Sequence, residues 1–262
     1  MDSLPDPARR AREGLGPSTT LALDVTGRAV GALFGAVSSL RRAKSLHPHG
    51  AVYEGTLELG GGPPAPRESF LSEAGEHPAL VRFSRSLGTP RPLPDLLGIS
   101  LRLPHIHGPE RHQDLLLVTS ADLPLAHHVF LPADDVQQRP YSSSLPYRAG
   151  DELFIVGALP RDDSPRPSGA DMLDRLDAAA RTTRLAFDLA VAPLMGRFEP
   201  VGRLRIGAKL PDELDATRFS PWNTGGGLAP AGDVFNRLRG YAYPMSQAGW
   251  SPAARAEARR NS

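Results

Sequence analysis

Near the C-terminus, Tyr241 and Tyr243 each follow an arginine by four residues, Arg237 and Arg239. On a helix this spacing sets each pair on one face, one turn apart. A phenol titrates near ~10, so its anion persists at neutral pH only beside positive charge, and a guanidinium cannot lose its proton to it. Such a pair can present an anionic oxygen to a metal, although the arginine spacing alone does not separate Tyr241 from Tyr243. The chain contains no cysteine. That excludes disulfides, ordinary iron-sulfur clusters, thiolate-ligated haem and cysteine nucleophiles, and leaves His, Tyr and carboxylates as metal donors. Toward the other end, His47 precedes Pro48, which biases it to an extended backbone. An imidazole titrating near ~6.5 suits general base and then general acid work. A competing cluster is His105, His107, His112 and Asp114. Its imidazoles could converge in a metal-dependent hydrolase, for instance of phosphodiesters, although the spacing matches no known metal motif. His127 and His128 point to opposite sides if extended and share no site.

The elements that must carry these residues follow from periodicity. Leu21, Val25, Val30, Leu33, Phe34, Val37 and Leu40 recur near helical spacing, which predicts a helix from Thr19 to Lys44. Short alternating or apolar runs then predict strands over Ala51–Leu59, Ala79–Ser86, Gly98–Pro104, Leu115–Thr119 and Asp151–Leu159. Pro160–Gly169 reads as a loop. A helix is predicted from Ser168, where Ser168 and Asp171 form a weak capping box before Leu173, Leu176 and Ala180. Phe187–Val191 and part of Pro200–Leu210 alternate again, and Asp233–Ser246 is predicted to be helical. Strands, a helix and more strands without a βαβ repeat indicate an α+β fold: an antiparallel β-barrel with flanking helices.

The chain has 262 residues, a length compatible with one barrel domain. The expected division is a disordered polar leader over 1–18, a single domain over 19–250 and a frayed tail over 251–262. Thirty basic against 29 acidic side chains leave a net charge of +1. This gives no field to hold nucleic acid or an anionic membrane, and so favours a small-molecule partner. The N-terminus lacks the order of a secretory signal, and Ala29–Val37 is too short to span a bilayer, so the expected location is cytoplasmic.

Three separated segments resemble the haem catalases. The first is Leu46-His47-Pro48-His49-Gly50-Ala51 followed by Glu54-Gly55-Thr56-Leu57-Glu58. The second is Val81-Arg82-Phe83-Ser84, then Asp95 to Leu103, then Asp114-Leu115-Leu116. The third is Phe219-Ser220-Pro221-Trp222, then Asn236 to Tyr243, which is similar to the haem-ligand region of short catalase-like proteins. The resemblance implies a catalase-like barrel carrying ferric haem b on Tyr243, with Arg239 one turn before it and Pro244 after it. His47 falls on the family's distal histidine and Ser84 on the residue that bonds its other ring nitrogen. Arg82 matches a propionate partner, and Lys44 stands where the family usually has arginine, a looser contact because lysine lacks the bidentate fork.

The implied activity is that of a haem-dependent peroxidase acting on hydroperoxides, with the oligomeric state left open. Two departures weaken expected dismutation of hydrogen peroxide. Leu117-Val118-Thr119-Ser120 holds no counterpart of the distal asparagine, and Trp250 replaces an arginine seven residues after Tyr243. A more open pocket would suit organic or lipid hydroperoxides. A haem-binding barrel without turnover remains a separate expectation.

Overall fold

The structure is a computed structural model that describes residues 49–90, 93–123, 127 and 129–231. The predicted helices over Thr19–Lys44 and Asp233–Ser246, the leader and the tail lie outside the described residues. Among the described residues, ten strands and one α-helix run in the order β1 (His49–Leu59), β2 (Gly75–Arg85), β3 (Leu97–Leu103), β4 (Gln113–Thr119), β5 (Tyr141–Ser142), β6 (Tyr147–Ala149), β7 (Glu152–Pro160), α1 (Met172–Ala180), β8 (Ala186–Pro193), β9 (Glu199–Lys209) and β10 (Ala229–Pro230). Among the described residues no helix is long and apolar enough to cross a membrane.

Every pairing is antiparallel, and the β7–β8 ladder closes the sheet on itself. β5 and β6 both pair with β7, β5 through Gly157 and Ala158 and β6 through Glu152 to Phe154. They act as one interrupted strand, which makes an eight-stranded barrel with β10 added outside β6. The interruption has a local cause: Ser144 takes a positive φ of 61°, and Pro146 has no amide to give to a ladder. The sequence reading missed β5 and β6 because Tyr141 to Pro146 reads as a serine-rich turn. It also began β2 four residues late, since Gly75 to Pro78 pair with Thr56 to Leu59 despite little apolar character.

Strand alternation gives the barrel two faces. Ala51, Phe83, Ile99 and Leu117 are successive cross-strand partners, as are Tyr53, Val81, Leu101 and Leu115, and all eight belong to the main core cluster. Aromatic rings meet across the interior. Tyr53 meets Phe83 edge-on at 5.9 Å between centroids, Phe83 meets Phe187 at 5.7 Å, and Tyr141 meets Phe187 at 6.1 Å. These side chains come from β1, β2, β5 and β8 and fill the interior, as expected for a barrel of about eight strands.

Helix α1 packs Met172, Leu176, Ala179 and Ala180 into the same core. The Tyr53 hydroxyl donates to Asp177 on α1, and Lys209 Nζ reaches the other carboxylate oxygen at 3.1 Å. The helix begins at Met172 rather than at Ser168. Asp171 is the N-cap, and its carboxylate accepts from the amides of Leu173 and Asp174 at 2.7 and 3.1 Å. Asp171 therefore captures two amides that would otherwise lack partners, which ends the helix three residues inside the expected box.

Two outcomes follow. Asp171→Ala should lower unfolding stability by about 1 kcal/mol, whereas Ser168→Ala should leave thermal denaturation unchanged; the opposite order would restore the earlier start. The second outcome concerns alkali. Burial pushes the Tyr53 phenol far above its ordinary range, with the Asp177 hydrogen bond adding to the rise. Burial, and then the Asp135 charge, does the same for Tyr141. Folded phenols with raised values bind protons that the unfolded chain releases, so their stabilisation is complete below ~10 and is lost as pH rises beyond it. Tyrosinate absorbance from these two rings should appear together with loss of ellipticity. Their reversible titration in a folded barrel would contradict this.

Candidate functional site

With its interior filled, the barrel can offer a ligand only its outside or its ends. The residues of β1 to β4 that alternate with the core set form two outward rows. One is Gly50–Ser84–Gly98–Val118 and the other is Val52–Arg82–Ser100–Leu116, each a series of direct cross-strand partners. Four of these eight side chains are glycine or serine, so this stretch of the outer face carries little side-chain bulk beside Val52, Leu116 and Val118. It is also buried at its centre. Ser84 is 0% exposed, Arg82 5% and Val52 2%, yet Val52 belongs to neither core cluster.

Arg82 and Ser84, two of the predicted site residues, thus share one face of β2 and point away from the core. Lys44, His47, Arg239 and Tyr243, together with the rival Tyr241, lie outside the described residues. Gly50 explains how the Arg82 guanidinium fits. A Cβ at this position would sit 2.8 Å from Arg82 Nη2, 2.9 Å from Cζ and 2.5 Å from the Phe83 carbonyl oxygen. Only glycine lets the planar cation lie this close to the β1 backbone.

A strap after β9 borders the face. The Leu210 amide bonds the Val52 carbonyl at 2.8 Å, and a 3-10 turn over Asp212–Ala216 then carries Asp215 to Arg82. Arg82 Nε donates to Asp215 Oδ1 at 2.7 Å. The strap next meets β3, where Arg102 Nη2 donates to the Arg218 carbonyl at 2.6 Å and its guanidinium lies 5.1 Å from the Phe219 ring centroid. At β4, Asp114 takes both Nε and Nη2 of Arg102 at 2.7 Å. Asp114 Oδ2 also accepts from the Ser220 amide and the Asn223 side chain, each at 2.8 Å. Phe219 to Trp222 is therefore part of an extended strap with a turn, and it grips strands rather than forming helix.

The sequence reading missed Asp215, Gly50 and the Arg102–Asp114 pair as site-forming residues. Arg102 and Asp114 are direct partners on β3 and β4, a signal that becomes visible only once the register is known. Asp215 is one of three acids in a short polar turn, and nothing in its spacing points to Arg82.

The competing histidine cluster does not assemble. His105 sits in the turn after β3 with a φ of 56°, not on a strand edge. Its Nδ1 accepts from the Glu110 amide and that of His112 from the His105 amide, both at 3.1 Å. His107 Nε2 is 3.1 Å from Gln113 Oε1, and its ring packs edge-on to Phe70. The ring lone pairs of His105 and His112 are committed to shaping the loop, His107 donates Nε2–H to Gln113, and Asp114 is committed to the strap. Among the described residues no group of three or more His, Cys, Asp or Glu could hold a metal ion. His127 is buried against Phe198 with Nε2 at 2.9 Å from the Gly196 carbonyl, a packing position. His128 is outside the described residues.

Open depressions of about 300 and 470 Å³ flank the C-terminal end of α1, the first lined by Asp177, Arg181 and Lys209 and the second by Glu54, Thr56 and Arg205. Neither contains a predicted site residue.

No protein-family model matches the chain, and no curated protein matches it. Among solved structures, 122 chains match. One is a fungal catalase, with a TM-score of 0.59 and 13% identity over 85% of this chain and 63% of that chain. The chain thus spans less than two thirds of that catalase's length. Likeness at this identity shows a shared fold: the eight-stranded antiparallel barrel is catalase-like.

Proposed function

We propose that this chain binds ferric haem b over the outer face of β1 to β4 and acts on hydroperoxides as a catalase-like haem peroxidase. The observation that carries the reading is a buried guanidinium set among small side chains on one face of the sheet. A planar macrocycle with carboxylate edges needs both parts: low side chains beneath its plane and a cation at its acidic margin. The described residues fit this group. Gly50, Ser84, Gly98 and Ser100 offer no bulk, and Arg82 already engages a carboxylate, that of Asp215. The catalase-like barrel supports the choice of cofactor, and the segments that resemble catalases supply the remaining residues.

In this reading Tyr243 holds the iron as a phenolate, and Arg239 keeps the phenol deprotonated. Arg82 and Lys44 bind the propionates. His47 takes the proton of the bound peroxide and returns it to the leaving oxygen, while Ser84 fixes which ring nitrogen is available for that work. When bound, ferric haem supplies the redox centre at which the peroxide oxygen–oxygen bond is broken, and an anionic oxygen ligand favours the ferric state. Thr119 is a buried residue in the stretch where the distal asparagine would fall, and its hydroxyl accepts the Leu97 amide at 3.2 Å. Without an asparagine amide in this stretch, orientation of hydrogen peroxide is weakened, and organic or lipid hydroperoxides are the expected substrates.

Protein purified with haem available should show a high-spin ferric tyrosinate spectrum; colourless protein under the same conditions would remove the proposal. Tyr243→Phe should abolish haem binding and Tyr241→Phe should not, and reversal of the two would shift the ligand to Tyr241. His47→Ala should keep haem yet lower peroxide-dependent oxidation by about 10²–10⁴-fold. Haem retained with no oxidation in the unaltered chain would leave a binding barrel without turnover.

A further inference from the structure

Past the end of β4 the chain stays extended for one more residue. The Ser120 amide donates to the Pro140 carbonyl at 2.9 Å, and Ser120 bridges Phe130 on its other edge. The Leu131 amide reaches the Thr119 carbonyl at 3.0 Å and the Ala121 amide reaches the Val129 carbonyl at 3.2 Å, so the backbone around Ser120 is pinned on both sides. Alternation then sets Ser120 on the face of Leu116 and Val118, opposite Leu115 and Leu117 in the core. This is the outer face that carries Ser84, two strands away along the row Ser84–Gly98–Val118.

Ser120 is 0% exposed, and its hydroxyl has no hydrogen-bond partner among the described residues. Such an atom costs free energy in a folded chain unless a ligand or an ordered water meets it. The residue before it shows the contrast, because the Thr119 hydroxyl already accepts the Leu97 amide at 3.2 Å. Two other buried atoms close by in sequence also lack partners among the described residues, Asp122 Oδ1 and His127 Nδ1. Neither is suited to donate. A carboxylate only accepts, and a neutral imidazole bonded through Nε2 to the Gly196 carbonyl keeps only a lone pair at Nδ1. His127 moreover lies against Phe198, which packs with Ile155 of β7 and with Ala190 and Ala192 of β8. Of the three, Ser120 is the one with a hydrogen to give on the face of β1 to β4.

Resting on the haem reading above, we propose that Ser120 is a substrate-binding residue whose hydroxyl donates a hydrogen bond to the hydroperoxide. The contact engages the peroxide end alone, the part that organic and lipid hydroperoxides share.

Fluoride binds ferric haem and accepts hydrogen bonds without being oxidised, so it reads this donor apart from turnover. The full haem-loaded chain is titrated with sodium fluoride and followed by visible absorbance. Ser120→Ala should weaken fluoride binding by about tenfold or more, the scale of a hydrogen bond to a charged group, with haem affinity unchanged. Ser120→Cys is close in size but donates weakly. It should shift fluoride in the same direction, and it serves if the alanine variant folds poorly. Thr119→Val should leave fluoride affinity as it is, because that hydroxyl is already engaged. Unchanged fluoride affinity in both Ser120 variants would mean that the hydroxyl meets only water, and the proposal would fall. Loss of haem together with fluoride in these variants would show a structural role and overturn it as well. Weaker fluoride in Thr119→Val with none in Ser120→Ala would give the donor to the wrong residue and also overturn it. A colourless unaltered chain would sink the haem reading and this proposal with it, whereas the first three outcomes leave haem binding in place.

Discussion

Closure of the β7–β8 ladder decides where chemistry can take place. Once the sheet is a ring of eight strands, its inward side chains have a fixed volume to fill, and here Tyr53, Phe83, Tyr141 and Phe187 fill it with aromatic rings in edge or tilted contact. Barrels with more strands can keep a lumen, whereas one of this size packed with large side chains cannot. A ligand as broad as a macrocycle must therefore lie outside. The outer face is suitable because the period-two alternation that sends Phe83 inward sends Arg82 and Ser84 outward on the same strand.

The outer face owes its shape to the strap between β9 and β10. Leu210, Asp215, Arg218, Ser220 and Asn223 touch β1, β2, β3 and β4 in turn, so an irregular segment is held by the sheet along its length. Its backbone groups find partners on strands, which is what lets a non-helical, non-strand segment pack closely without unpaired polar atoms accumulating. The strap hands the chain to β10, where Ala229 and Pro230 pair with Arg148 and Tyr147.

Much of the barrel is legible in the sequence, for a physical reason. Gly98–Leu103 alternates apolar with small or polar residues because one face is core, Leu115–Val118 is a continuous apolar run, and neither pattern needs tertiary knowledge. β5 and β6 are illegible because their four-residue interruption, Ser143 to Pro146, breaks periodicity and supplies turn residues. The site is legible only in part. Arg82 and Ser84 are two positions apart, so the sequence alone places them on one face. Their neighbours Gly50, Gly98 and Val118 lie on other strands, and register is set by pairing rather than by local sequence. The pairing of Arg82 with Asp215 spans 133 positions, and no local rule reaches that far. His105 shows the opposite error. Its spacing from His107 suggested a shared strand face, but the positive φ at His105 turns the chain first.

The two arginine–aspartate pairs of the outer face hold the strap on different strands. Arg102 gives Nε and Nη2 to the two oxygens of a fully buried Asp114, and Asp114 accepts two further bonds from the strap, so this pair is saturated on both sides. A buried ion pair of this kind repays its desolvation mainly through geometry and added hydrogen bonds, and its value lies in holding the strap in one place. Arg82 donates Nε to Asp215 over a glycine, and so ties the strap to β2 as Arg102 and Asp114 tie it to β3 and β4.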